Sequence, residues 1–356
     1  MGWMRVNATI GVFTVLFAET PGAQVPQLER VRTIGCSACE GPASFHDIAG
    51  IWLEADGRVI VLDHGEPHVR IFDANGGTLA SFGRSGSGPG EFRAPSFLIP
   101  QPGGAIAVFD VTNRRVTTLG AGGNELASSP LREFPIAVAA GGPEGPIVVA
   151  TTDFKSPTLA IDLLGARHEP DRLFRFTTDF PRRAENEPST FVALAASSAG
   201  TFAVGDGAVD YRIRVYGSSG ALRQEIARSI DRTRRTGAEI ATEQARRDRM
   251  RSRILAMRQT ESRSAPPLEP PPIPELKAHF LANALVFDQT GRLWVRTERG
   301  GLGDTIFDLF DPTGRFMGEI RVAARIGRYV IAHGILAGIT IDADDAQYVT
   351  LFRLVD

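Results

Sequence analysis

The chemistry available to this chain starts with six histidines: His46, His64, His68, His168, His279 and His333. Neutral imidazole is a zinc ligand, and three imidazoles around an open fourth position form a hydrolytic or lyase centre. His279 and His333 precede the turn positions Gly291 and Asp345 by the same interval. His46 stands one residue out of that register relative to Gly57. The spacing predicts that His46, His279 and His333 start equivalent inner strands and meet near one mouth of a channel, with Arg296 as a nearby cation. The alternative is that each caps a strand or hydrogen-bonds in a loop. His64 and His68 are four apart, which puts side chains together only on a helix, and their surroundings read as a hairpin. No catalytic residue can be assigned, and no cofactor is named outright. Zinc at the histidines, or calcium at aspartates that end strands, are the metal chemistries left open.

Other candidate motifs resolve into structural roles. Cys36 and Cys39, in GCSACEGP, are the only cysteines. In an oxidising compartment they are expected to pair and pin a turn. A redox-active CxxC opens a helix, whereas Gly41, Pro42 and a strand pattern follow here. Haem attachment needs a histidine where Glu40 stands. GRSGSGPGEF (83–92) has the glycines of a phosphate loop but no following Gly-Lys-Ser/Thr and no helix. Asp63, Asp110 and Asp206 end equivalent strands and are expected to hold loop amides. No nucleophile elbow or zincin helix appears.

The elements that must position these residues are short and β-rich, and they repeat. A turn residue recurs at Gly57, Gly104, Gly145, Gly200, Gly291 and Asp345, each preceded by an apolar run. The runs at 46–52, 191–196, 280–287 and 335–341 are read as inner strands. Such a period, once one insertion is removed, is that of propeller blades. Val59–Leu62 and Ile106–Phe109 are apolar without a break, as suits strands covered on both faces. The last unit lacks an outer strand, and VPQLERVRTIG (25–35) supplies one. The fold expected is all-β: a six-bladed β-propeller closed by its N-terminal strand, with one α-helical insertion.

One blade carries a nameable pattern. VLDHGEPHVRIFDANGGTLASFGRSGSGPGEFRAP (61–95) runs from a strand ending in Asp to an Arg-aromatic strand, then Phe-Gly and Gly-Pro-Gly-Glu-Phe. It resembles the NHL-repeat family of six-bladed propellers, and Asn113 and Arg114 echo it in the next blade. The resemblance implies a fold shared by binding proteins and enzymes. Propellers similar to peptidylglycine amidating lyases use channel histidines of the kind listed above.

Segment by segment, 1–23 reads as a signal peptide, 24–356 as the propeller, and 228–274 as a helical and Pro-rich insertion within it. Residues 6–18 form an apolar run too short to span a bilayer comfortably, so a periplasmic or extracellular location is expected and no membrane span. In the insertion, Thr236 and Glu239 have capping-box spacing, and Ile240, Met250, Ile254 and Met257 could form one apolar stripe. Its arginines leave three readings open: a solvated excursion on the rim, a lid or partner-docking helix, or a surface for polyanions or membranes. The net charge of -2 and the 22% charged residues point to no nucleic-acid partner. The function expected is a non-catalytic binding module for a protein or small molecule at the channel mouth. The alternative is a metal-assisted lyase or hydrolase sited there.

Overall fold

Strict alternation along buried strands builds this molecule. The computed structural model describes residues 25–36, 41–131, 133–152, 159–164, 172–178, 192–260 and 272–355. The expected export segment, Cys39 and its expected pairing, His168 and most of the Pro-rich stretch lie outside them. The strand β1 (Gln27–Ile34) comes first. Blade one is β2 (Ile48–Leu53), β3 (Val59–Asp63), β4 (His68–Phe72) and β5 (Thr78–Phe82). Blade two is β6 (Pro95–Pro100), β7 (Ile106–Asp110), β8 (Arg115–Leu119) and β9 (Glu125–Pro130). Blade three is β10 (Pro135–Ala140), β11 (Ile147–Thr152), β12 (Leu159–Leu164) and β13 (Arg172–Thr178). Blade four is β14 (Ala193–Ala196), β15 (Phe202–Asp206), β16 (Tyr211–Tyr216) and β17 (Leu222–Arg228). The helix α1 (Gly237–Thr260) follows. Blade five is β18 (Leu285–Phe287), β19 (Leu293–Thr297), β20 (Thr305–Phe310) and β21 (Phe316–Val322). Blade six is β22 (Ile326–Ala332), β23 (Ile335–Ile341) and β24 (Gln347–Val355). All pairings within the blades are antiparallel, and β1 is the fourth strand of blade six, beside β24. The chain is therefore a six-bladed β-propeller closed by its N-terminal strand.

The unbroken apolar runs explain why blades need neighbours. In β3, Val59 and Val61 face blade six while Ile60 and Leu62 face blade two. In β7, Ile106 and Val108 turn to blade one while Ala107 and Phe109 turn to blade three. The same division recurs around the ring, so that each adjoining pair of blades shares one apolar cluster among the described residues. Tyr329 crosses one such seam: its hydroxyl donates towards the carbonyls of Ala284 and Trp294 in blade five, at 2.8 and 3.0 Å.

Blade six corrects the register read from sequence. Ile335–Ile341 is the second strand, not the inner one, and Asp345 lies in the β23–β24 hairpin. The inner strand is β22, joined to β23 by His333 and Gly334 alone, with φ of 52° and 72°. Two residues with positive φ are the tight hairpin turn that matches strand twist. The misreading has a physical source. Asp342 accepts the amides of Asp344 and Ala346, as Asp288 accepts those of Thr290 and Arg292. One aspartate-led hairpin serves different positions in different blades.

The helical insertion has the expected cap. Glu239 accepts the Thr236 amide at 2.8 Å, and Thr236 Oγ1 accepts the Glu239 amide at 3.2 Å. The apolar stripe is not the anchor at this end, because Ile240 is exposed, and the side chains of Met250, Ile254 and Met257 lie outside the description. Polar contacts hold α1 instead. Buried Glu239 pairs with buried Lys277, whose Nζ also donates to the Gly300 carbonyl, and Arg249 pairs with Asp345. No helix among the described residues is long and apolar enough to cross a membrane.

Deleting residues 25–34 should lower Tm by more than about 5 °C and produce concentration-dependent association through the bared β24 edge. Calorimetry and light scattering read the two effects, and an unchanged Tm would contradict closure by β1.

Candidate functional site: the central channel

Six inner strands, one per blade, enclose the channel. The strands β2, β6, β10 and β22 each carry a register irregularity near their start. A bulge rotates the side chains beside it and can aim one out of the sheet's regular alternation. A cavity of about 460 Å³ occupies the channel and touches all six blades. Its walls are largely apolar, with Trp52, Leu98, Val138, Leu194, Leu285 and Val330 among them. The rim is made by the hairpins that join first strands to second strands, and carries Glu54, Glu144, Gln289 and His333. This size and lining suit a small organic ligand. Among the described residues, none from α1 lines the cavity.

Arg328 lies away from the His333 rim, in the irregular stretch of β22 between Ile326 and Tyr329. Its guanidinium is 5.8 Å from the Phe97 ring centroid. It forms no hydrogen bond or ion pair among the described residues. Burial pushes its pKa down to about 10, an effect that the more distant Asp47 partly offsets. The group is still a cation at neutral pH, with no carboxylate in contact and Asp47 acting on it only from a distance. Trp52, in the wall, buries its indole N–H without an acceptor.

The structure does not bring the three candidate histidines together. His333 sits in the β22–β23 turn on the cavity rim, exposed, beside Gln289 at 3.2 Å. His46 precedes β2, at the other end of the inner strands, where its ring is 3.9 Å from Asp63 and 3.8 Å from Glu66. His279 precedes β18 and is buried, with its backbone paired to Gly207 and Glu298 and its ring 5.7 Å from that of Tyr211. The register slip in blade six explains why His333 lies at the opposite end from the other two: the interval that matched His279 to His333 compared different hairpins. Among the described residues no group of three or more His, Cys, Asp and Glu is arranged to hold a metal. Arg296 does not line the cavity and pairs with Glu298 at 3.1 Å.

The strand-ending aspartates do hold loop amides. Asp63 accepts from the amides of His46, Asp47 and Gly65, all at 3.0 Å, and from Arg70. Asp110 accepts from Arg93, Ala94 and Asn113, and Asp206 from Ala208. The loop 83–92 is ordered by Glu91 within it and by side chains of blade two. Glu91 accepts the Gly88 amide, while Arg115 donates to the carbonyls of Ser87, Gly88 and Glu91. These groups are thus engaged within the fold.

A second polar cluster, between blades four and five, is held by ion pairs, although the Tyr211 hydroxyl and Arg299 Nε are buried without a hydrogen bond. Asp308 is completely buried and meets Arg228 at 2.7 Å and Arg299 more closely. Arg299 also reaches Glu319, and the Arg228 guanidinium lies 3.8 Å from the Phe316 ring centroid. Burial, reinforced by Asp308, raises the Tyr211 pKa and keeps its phenol neutral. Burial lowers the His279 pKa against a hydrogen bond to the Val209 backbone.

With this geometry in view, the class is a channel-bearing six-bladed β-propeller. Solved structures agree in fold. One is a protein of Bacteroides fragilis named putative exported protein, with TM-score 0.55 and 12% identity over 93% of this chain and 95% of that one. Another is a member of the DUF4221 family from Bacteroides vulgatus, with TM-score 0.51 and 8% identity over 92% and 98%. A gluconolactonase from Xanthomonas campestris gives 0.49 at 12% identity over 94% and 99%. At these identities the likeness is one of fold. No protein-family model matches the chain, and no curated protein sequence matches it.

Two measurements check the electrostatics. Arg328→Met should raise the unfolding free energy at pH 7 by about 1 kcal/mol, because a half-buried cation without a contacting acceptor is removed. The folded-state pKa lies below the unfolded one, so the advantage should fade as pH climbs above about 10. Denaturant titration would show it, and a less stable variant would contradict the unpaired state of Arg328. For His279, a lowered folded pKa means that stability is present above the unfolded value near 6.5 and is lost as pH falls below it. The decline between pH 7 and pH 5 should be shallower in His279→Gln.

Proposed function

We propose that the protein is an exported NHL-like propeller that binds a small molecule or a partner's side chain in its channel without transforming it. The observation that carries this reading is the cavity: apolar walls from six blades, a hairpin rim, and a single cation away from that rim. Such a lining supplies affinity through burial and orientation through a few polar groups. The titratable groups along it are spread out, not gathered into a nucleophile with a base. Asp288 is occupied with Thr290, Arg292 and Trp294, and His333 with Gln289. Export rests on the apolar run at 6–18, and the name of the Bacteroides fragilis protein of similar fold is in keeping with it. NHL-like character rests on the pattern at 61–95.

The alternative, a metal-assisted lyase or hydrolase, would need histidines gathered at one mouth, and His46, His279 and His333 stand apart. A thermal-shift screen of a chemically diverse small-molecule library tests the proposal. Hits should raise Tm, should be recovered unchanged by mass spectrometry, and should lose their effect in Ala139→Phe, which narrows the channel. Chemical conversion of a hit, abolished by the same variant, would favour the enzyme instead.

A further inference from the structure

Arg328 is half-buried on the cavity lining, and the way this chain treats its other shielded guanidiniums makes it stand out. Arg70 is 3% exposed and is met by Asp63, Glu66 and the Ser44 carbonyl. Arg228 and Arg299 share the buried Asp308. Arg115 is bound by three carbonyls. Arg292 and Arg296 each have a carboxylate. A guanidinium carries five N–H donors, and leaving such a group in a low-dielectric site without acceptors is costly. Arg328 has Phe97 at cation–π distance and no acceptor among the described residues.

The placement is as informative as the missing partner. The irregular register at Gly327–Arg328 places Arg328 on the cavity lining, towards the end of β22 away from the His333 rim. The walls are Trp52, Leu98, Val138, Leu194, Leu285 and Val330. Trp52 adds a buried donor without an acceptor. Glu54 and Glu144 lie at the rim, so the feature that selects for negative charge is away from that rim. A ligand that completes this site presents two acceptor oxygens in one plane to the guanidinium and an apolar body to the walls. Carboxylate meets the planar fork of arginine in that way, with two parallel hydrogen bonds.

Resting on the channel-binding reading above, we infer that the cavity is a site for organic carboxylates with an apolar or aromatic body, anchored head-down on Arg328. The cavity volume of about 460 Å³ suits small monoacids. Neutral analogues of the same shape fill the walls but leave the guanidinium unpaired, so they bind less well.

Isothermal titration calorimetry with 4-phenylbutyrate and its neutral amide, 4-phenylbutyramide, tests this on the wild-type chain and on Arg328→Met and Arg328→Lys. The wild type is expected to favour the acid at least tenfold, Arg328→Met to bind acid and amide equally, and Arg328→Lys to keep part of the preference. Circular dichroism establishes that the variants are folded. Equal binding of acid and amide by the wild type, or a preference that survives in Arg328→Met, overturns the carboxylate anchor while leaving channel binding intact. Absence of binding by either probe also overturns the inference for this ligand class. The library screen separates that result from failure of the channel-binding reading, which requires neutral and cationic compounds to give no shift as well.

Discussion

Burial of both faces of every blade is the constraint on which the rest of this protein depends. A four-stranded sheet whose central strands are apolar on each side cannot stand alone in water. It is stabilised only between two neighbours, and the last blade only if the ring returns to the first. Six blades sharing six apolar seams meet that requirement, and β1 finishes the sheet that the C-terminal strands begin. A channel follows as a geometric consequence, because the inner strands cannot converge to a point.

The channel turns a packing solution into a site. Elsewhere charged groups are met by opposite charges or carbonyls, even where single buried atoms such as Arg115 Nε, Arg296 Nε and the Tyr211 hydroxyl make no hydrogen bond. Aspartates at strand ends collect loop amides, Glu91 and Arg115 tie down a glycine-rich loop, and Asp308 gathers two arginines where blades four and five meet. These arrangements use up chemistry that would otherwise invite a functional reading. His279 belongs to the same economy, buried beside Tyr211 at the foot of the insertion. Arg328 departs from it. A half-buried cation without a contacting acceptor is partly desolvated for no return within the fold, and such departures from local satisfaction are expected where a fold serves function.

The helical insertion is a separate matter from the cavity. Its first turn is fixed by the capping box and by Glu239 on Lys277, and its middle by Arg249 on Asp345. These contacts lead to the hairpins between second and third strands of blades five and six. The cavity rim is built from a different set of hairpins, those between first and second strands. The described contacts of the helix and the cavity rim therefore belong to different loop sets.

Much of the architecture was legible from residues alone because it rests on local rules. Continuous apolar runs, turn glycines at a steady interval and a spare N-terminal strand specify blades, their number and their closure. The capping box at Thr236 and Glu239 and the amide-binding roles of Asp63 and Asp110 are likewise short-range. Register in blade six was not legible. An aspartate-led turn at 342–346 mimics the hairpin used between first and second strands in other blades, and the true turn is only His333 and Gly334. That one-hairpin slip produced a three-histidine cluster that the folded chain does not assemble. It also hid β22 and with it Arg328. Whether an arginine is paired or stranded depends on residues hundreds of positions away, brought to it by ring closure. The sequence by itself determined the blades, the turns and the caps, because neighbouring residues decide them. Only the tertiary structure decided which side chains face the channel and which charge there lacks a partner, because six separate blades must meet before that environment exists.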